Sequence, residues 1–109
     1  MSYKVISTAR FEKDIKRLAK KYPSIKFDIA ALAKELSENP LMGDGIFKNC
    51  YKIRMAISSK GKGKSGGARV VTYILIRATT VLLITVYDKS EKETITDDEI
   101  ISLIKNMEI

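Results

Sequence analysis

Between Tyr51 and Tyr87 three runs of strand-forming residues follow one another, with only a glycine-rich loop and a short turn between them. In "YKIRMAI", Tyr51, Ile53, Met55 and Ile57 alternate with Lys52 and Arg54, the period-two pattern of a strand with one apolar and one polar face. "ARVVTYILIR" is rich in β-branched residues; Arg69, Val71 and Tyr73 fall on one side of it, and Val70, Thr72 and Ile74 on the other. "TTVLLITVY" is almost wholly apolar, as expected of a strand inside the sheet and covered on both faces. Parallel neighbours need a crossover of about a dozen residues or more, whereas antiparallel ones can be joined by short turns. The gaps therefore predict antiparallel hairpins, and the rest of the chain must pack against that sheet.

The N-terminal part supplies helices. After a short strand at Tyr3 to Ile6, Phe11, Ile15, Leu18, Ala19 and Tyr22 recur at helical spacing, with Lys13, Lys16, Arg17 and Lys20 on the opposite side. Pro23 ends this helix, and Ser24 is placed to cap a second one with a stripe of Ile25, Ile29, Leu32 and Leu36 that Pro40 ends. The short break between them predicts an antiparallel αα-hairpin. Gly43 and Gly45 read as a turn. At the other end Thr96 and Glu99 form a capping box, with Asp97 and Asp98 in the first turn. Ile100, Leu103, Ile104 and Met107 give that helix its apolar face. The expected fold is α+β, in the order β-α-α-β-β-β-α: a twisted antiparallel sheet, an αα-hairpin on one face and a C-terminal helix. At 109 residues the chain reads as one domain, 1–109.

The net charge of +7 is unevenly spread. Residues 1–44 sum to +3, residues 45–87 to +8 without a single acid, and residues 88–109 to −4. A purely cationic segment of this length attracts polyanions, phosphate backbones foremost. The single cysteine, Cys50, cannot form an internal disulfide, and no signal peptide or membrane-length apolar run is present, so a cytoplasmic protein is expected. No histidine is present either, which rules out a His-based metal site and Ser/His or Cys/His nucleophile pairs. No metal and no cofactor are expected. Cys50 reads as a small hydrophobe.

Four of the six glycines lie in "KGKGKSGGARVV", at Gly61, Gly63, Gly66 and Gly67. "GKS" matches the tail of a phosphate-binding loop, but Ser58 stands where the first glycine belongs and a strand follows instead of a helix. What remains is a cationic cluster on a sheet. Lys52 and Arg54 share a strand face, Arg69 begins the next strand, and Tyr87 and Lys89 lie at the end of the third. Such a cluster can bind phosphates, or it can cleave RNA by activating a 2′-hydroxyl against the adjacent phosphate. A lysine can act as a base, whereas an arginine only stabilises charge. Residue types alone do not decide between binding and cleavage.

The run "YKIRMAISSKGKGKSGGARVVTYILI" followed by "LLITVYDKSEKETITDDEI" resembles the RelE/ParE superfamily of toxin–antitoxin toxins, and most nearly its HigB/RelE branch. The resemblance extends over nearly the whole chain, including the N-terminal helices and "ENPLMGDGI". It implies a ribosome-dependent, metal-independent endoribonuclease that cuts mRNA in the 70S A site. It also implies a cognate antitoxin, often with a DNA-binding domain. Carried over position by position, it makes Lys52 the base, Arg54 a charge stabiliser, Arg69 the residue that grips the scissile phosphate and Lys89 the general acid. The aromatic that stacks on the mRNA base in some relatives falls near Ile95, where this chain has none; Tyr87 or Tyr73 is the substitute candidate.

On this reading Lys60, Lys62 and Lys64 grip ribosomal RNA phosphates and the glycines let the backbone approach that surface, with Lys48 as a further RNA-binding candidate. Two alternatives stand beside it: a ParE-like inhibitor of DNA gyrase, and an RNA-binding module without catalysis. The acidic C-terminal segment either packs on the basic sheet and masks it or keeps its acids in water.

Overall fold

A computed structural model describes residues 2–92 and 94–107. The elements run β1 (Lys4–Ser7), α1 (Ala9–Ala19), α2 (Ile25–Glu38), β2 (Asp44–Phe47), β3 (Cys50–Met55), a 3-10 turn (Ser58–Lys60), β4 (Ala68–Leu75), β5 (Thr80–Asp88) and α3 (Asp97–Lys105). They form one five-stranded sheet in the order β1-β5-β4-β3-β2. The fold is α+β, with the expected central meander β3-β4-β5 antiparallel throughout. Two features extend that expectation. The sheet is mixed, because β1 pairs parallel with β5 through Lys4↔Thr80 to Ser7↔Leu83. The segment read as a turn around Gly43 and Gly45 contains an edge strand, β2, antiparallel to β3 with an irregularity between Gly45 and Phe47.

The two sheet faces are covered differently. Phe11, Ile15 and Leu18 of α1, Tyr22, and Ile25, Leu32 and Leu36 of α2 pack on Ile53, Met55, Val70, Ile74, Val81, Leu83 and Val86. On the other face Ile95, Ile100, Leu103, Ile104 and Met107 close over Cys50, Val71, Leu82, Ile84 and Tyr87. The alternation in β3 thus sends Ile53 and Met55 under the αα-hairpin and leaves Lys52 and Arg54 on the opposite face.

A bulge in β5 decides what stands beside them. Val71 pairs with Thr85 but Thr72 pairs with Leu83, so one residue of β5 is extra. Before the bulge Leu82 and Ile84 face the second core; after it Val86 faces the hairpin and Tyr87 the second core. An unbroken alternation from Ile84 would have sent Tyr87 to the hairpin side. The bulge is held from α1: Asp14, buried, accepts hydrogen bonds from the Thr85 hydroxyl and from Val86 N–H at 3.3 Å. Thr8 caps α1, accepting from Phe11 N–H at 3.3 Å while its own hydroxyl donates to Leu83 O at 2.9 Å.

Ser24 does not cap α2 with its side chain. Its hydroxyl donates to Asp28 at 2.9 Å and accepts from Ser59 N–H at 2.8 Å, tying the start of α2 to the 3-10 turn instead. The capping box of Thr96 and Glu99 is present at α3. No described helix is long and apolar enough to cross a membrane.

Candidate functional site

Arg54, Arg69 and Tyr87 form one row across three strands. Arg54 is the register partner of Arg69, and Arg69 of Tyr87. Two arginines directly opposite on one sheet face repel, by a few tenths to about 1 kcal/mol. Lys52 lies one step along the same face of β3. Lys52, Arg54 and Lys64 line a trough of about 420 Å³ with Met42, Gly43, Asp44 and Ile53.

Arg69 is only 7% exposed. Its guanidinium donates to the carbonyls of Lys64 and Ala68, both at 3.1 Å, and of Ser65 at 3.3 Å. No carboxylate pairs with it among the described residues. It therefore pins the end of the glycine loop and carries Lys64 to the trough. Lys52 is half-buried, with Nζ 3.4 Å from Thr94 Oγ1. Tyr87 is 6% exposed, and its hydroxyl is buried without a hydrogen-bond partner among the described residues. Its ring packs in the second core, so it offers no open face to a base, and Ile95 is buried in that same core.

The remaining sequence-derived candidates lie elsewhere. Lys89 is exposed and lines a separate depression of about 290 Å³ with Lys60, Lys62, Ser65, Gly66 and Ser90. Tyr73 pairs with Cys50, four residues along β4 from Arg69, and is half-buried against the second core. That is about 13 Å from the arginine row at strand spacing. Lys48, exposed in the β2–β3 turn, is farther still.

Lys60 is a correction of substance. It does not stand free on the loop: its side chain is 11% exposed and its Nζ lies 2.8 Å from Asp88 Oδ1, a carboxylate with no exposure at all. Asp88 also accepts from the Tyr22 hydroxyl and from Ser90 N–H (3.0 Å) and Oγ (2.8 Å). The Lys60 ammonium stands 5.5 Å from the centre of the Tyr22 ring. Lys60 is thus a latch that fastens the loop to the ends of β5 and α1. Burial pushes the Asp88 carboxyl up, but the hydrogen bonds from Lys60, Tyr22 and Ser90 outweigh it and hold the group far below the usual carboxylate range. A depressed folded-state value contributes stability that is present above the unfolded value of about 3.9 and is lost as pH falls through the folded one. The urea midpoint should hold from neutral pH down to about 4 and drop below it; a midpoint already falling between pH 7 and 5 would contradict the latch.

The glycines also serve the fold. A Cβ on Gly67 would lie 2.2 Å from the Met55 carbonyl oxygen, so the loop re-enters the sheet through a contact that admits no side chain. Gly61 ends the 3-10 turn at φ 71°, where a Cβ is disfavoured. Cys50 is buried; desolvation first, and the Asp97 charge second, push its thiol up to about 11, which leaves it protonated at neutral pH and unsuited to act as a nucleophile.

Two site-lining residues escaped the sequence reading. Asp44 is the register partner of Lys52 and the one carboxylate lining the trough; an acid immediately after Gly43, in what reads as a turn, gave no strand signal. Phe27 is an exposed aromatic on α2, and its position off the Ile25/Ile29/Leu32/Leu36 stripe was the available signal.

No protein-family model matches the chain. Solved structures do. A doubly arginine-to-alanine-substituted Escherichia coli toxin RelE in the free state superposes with a TM-score of 0.64 at 19% identity, covering 96% of this chain and 97% of that one. The isolated E. coli RelE toxin gives 0.62 at 17% identity, over 95% and 98%. The toxin–antitoxin complex RelBE2 from Mycobacterium tuberculosis gives 0.63 at 22% identity, over 81% of this chain and 99% of that chain. The chain has the α+β fold of the RelE toxins.

Proposed function

We propose that this protein is the toxin of a toxin–antitoxin pair and an endoribonuclease that cuts mRNA in the ribosomal A site. The observation that carries the reading is the Arg54–Arg69–Tyr87 row with Lys52 on the same sheet face and Lys64 of the glycine loop beside it: four cations, none of them in an ion pair among the described residues. The RelE toxin fold supports it, and the RelBE2 complex supports an antitoxin as partner.

In the proposed reaction Lys52 takes the proton of a ribose 2′-hydroxyl. The 2′-oxygen bonds to the adjacent phosphorus, and the bond from phosphorus to the 5′-oxygen breaks. Arg54 and Arg69 neutralise the charge that builds on the phosphoryl oxygens. The leaving 5′-oxygen takes a proton from Lys89, which follows β5 and lines the depression beside Lys62. The products are a 2′,3′-cyclic phosphate and a 5′-hydroxyl.

A purified translation system tests this reading. Added protein should arrest synthesis and leave mRNA cut in the A site. Intact mRNA together with inhibition of gyrase supercoiling would replace it with the gyrase reading, and RNA binding without cutting would leave a binding module.

Of the loop lysines, Lys62 and Lys64 are exposed and Lys60 is fastened to Asp88. Replacing Lys62 and Lys64 by Ala should weaken ribosome association and reduce the slope of log affinity against log salt by about 1 to 2, while the melting temperature holds. An unchanged salt slope would remove them from the RNA contact.

A further inference from the structure

We propose that the groove between α2 and the end of β3 is a nucleobase subsite, in which Phe27 stacks on a base flanking the phosphate gripped by Arg54 and Lys64. The inference rests on the RNA-directed reading above and adds a site to it.

Phe27 is 74% exposed, the most exposed of the large hydrophobic side chains among the described residues. The buried side of α2 is Ile25, Asp28, Leu32 and Leu36, and Phe27 takes no part in the hairpin core. An isolated exposed aromatic would need no explanation. This one is not isolated. With Ala31 and Glu35, which follow it at four-residue spacing on the same helix ridge, it lines a groove of about 230 Å³ whose other wall includes Met42, Arg54 and Lys64. Met42, Arg54 and Lys64 also line the trough that holds Lys52. The groove therefore leads from the arginine row to an open aromatic ring.

The charges along it match a nucleotide. Arg54 and Lys64 stand at the end next to Lys52, where a phosphate is attracted. Glu35 stands on the helix ridge with Phe27; a carboxylate there repels phosphate but can accept a hydrogen bond from a base amino group. Ala31, Leu32, Met42 and Met55 give the groove apolar surface suited to a ring, and its other carboxylate, Asp28, is buried and accepts hydrogen bonds from Ser24 and Ser58. Of the two tyrosines expected to stack, Tyr87 is buried in the second core and Tyr73 is half-buried against it, and Ile95 is buried there too, whereas Phe27 is exposed and every base has a face that can stack on it.

The test uses the whole protein and a six-nucleotide single-stranded RNA carrying 2-aminopurine, with each 2′-hydroxyl methylated so that it cannot be cut. At low salt, binding should quench the probe most strongly at one position. Phe27→Ala should abolish that quench and weaken binding about tenfold, and Phe27→Tyr should restore both. Phe27 is exposed, so both variants should melt like the wild type. Equal affinity and quench in wild type and Phe27→Ala would overturn the proposal, as would absence of RNA binding by the wild type. Loss of affinity for an antitoxin with RNA binding intact would also overturn it, in favour of a protein-docking face. Cleavage of unmodified mRNA is measured separately. Binding with the Phe27 dependence but no cleavage would sink the nuclease reading and leave the subsite, whereas cleavage with no Phe27 dependence would do the reverse.

Discussion

Lys52→Ala is expected to lower the rate of A-site cleavage by about 10²- to 10⁴-fold, the range for loss of a positioned general base. The fold should not notice. Lys52 is half-buried on the face away from the hairpin, and among the described residues its one side-chain hydrogen bond is the 3.4 Å contact to Thr94. Arg54, Arg69 and Lys64 remain, so ribosome binding should fall only a few-fold while turnover collapses. Lys52→Arg separates charge from proton transfer: a guanidinium keeps its proton, so the arginine variant should bind like wild type and cut as poorly as the alanine variant. Single-turnover cleavage on programmed ribosomes reads both. A Lys52→Ala protein that cuts at the wild-type rate would move the base elsewhere, and Asp44, opposite Lys52 in the β2–β3 ladder, is then the group to replace.

Asp88→Ala is expected to cost about 3–5 kcal/mol, the usual penalty for removing one member of a buried ion pair. A domain of this size has roughly 5–15 kcal/mol in all, so the variant should be partly unfolded at 37 °C. The reason lies in what the carboxylate serves. Its removal strands the Lys60 ammonium, which is mostly shielded from water, and leaves the Tyr22 hydroxyl and both Ser90 donors without their acceptor. Lys60→Met should cost less, because Asp88 keeps Tyr22 and Ser90 and the thioether chain still fills the space. Urea denaturation of the two variants measures the asymmetry. Equal, small losses would mean that the contact is a surface pair and Lys60 is available to RNA after all.

The sequence was informative where one residue's pattern sufficed. Alternation in β3 separates Ile53 and Met55 from Lys52 and Arg54 without reference to any other strand, and Thr96 with Glu99 announces α3 by a purely local hydrogen-bond exchange. It was silent where partners far apart in the chain decide the outcome. The parallel placement of β1 depends on where α1 and α2 return the chain. The phase of Tyr87 depends on a bulge held by Asp14, which is about seventy residues away. Lys60 reads as one more loop cation because nothing near it in sequence betrays Asp88. The edge strand β2 is short, two of its four residues are Asp44 and Gly45, and its pairing exists only through β3. Of the acidic tail, Glu93 and Glu108 lie outside the described residues; α3 packs through Ile100, Leu103 and Ile104, while Asp97, Asp98 and Glu99 are exposed.

In the proposed reaction Lys52 and the arginine row turn a ribose 2′-hydroxyl against the adjacent phosphate. Mapping the ends of an mRNA cut on programmed ribosomes tests this most directly, using one all-ribose message and one with a single 2′-deoxynucleotide at the cleaved position. The expected result is a 2′,3′-cyclic phosphate and a 5′-hydroxyl from the first and no cut in the second. A 3′-hydroxyl with a 5′-phosphate, or cleavage of the deoxy-substituted message, would contradict it.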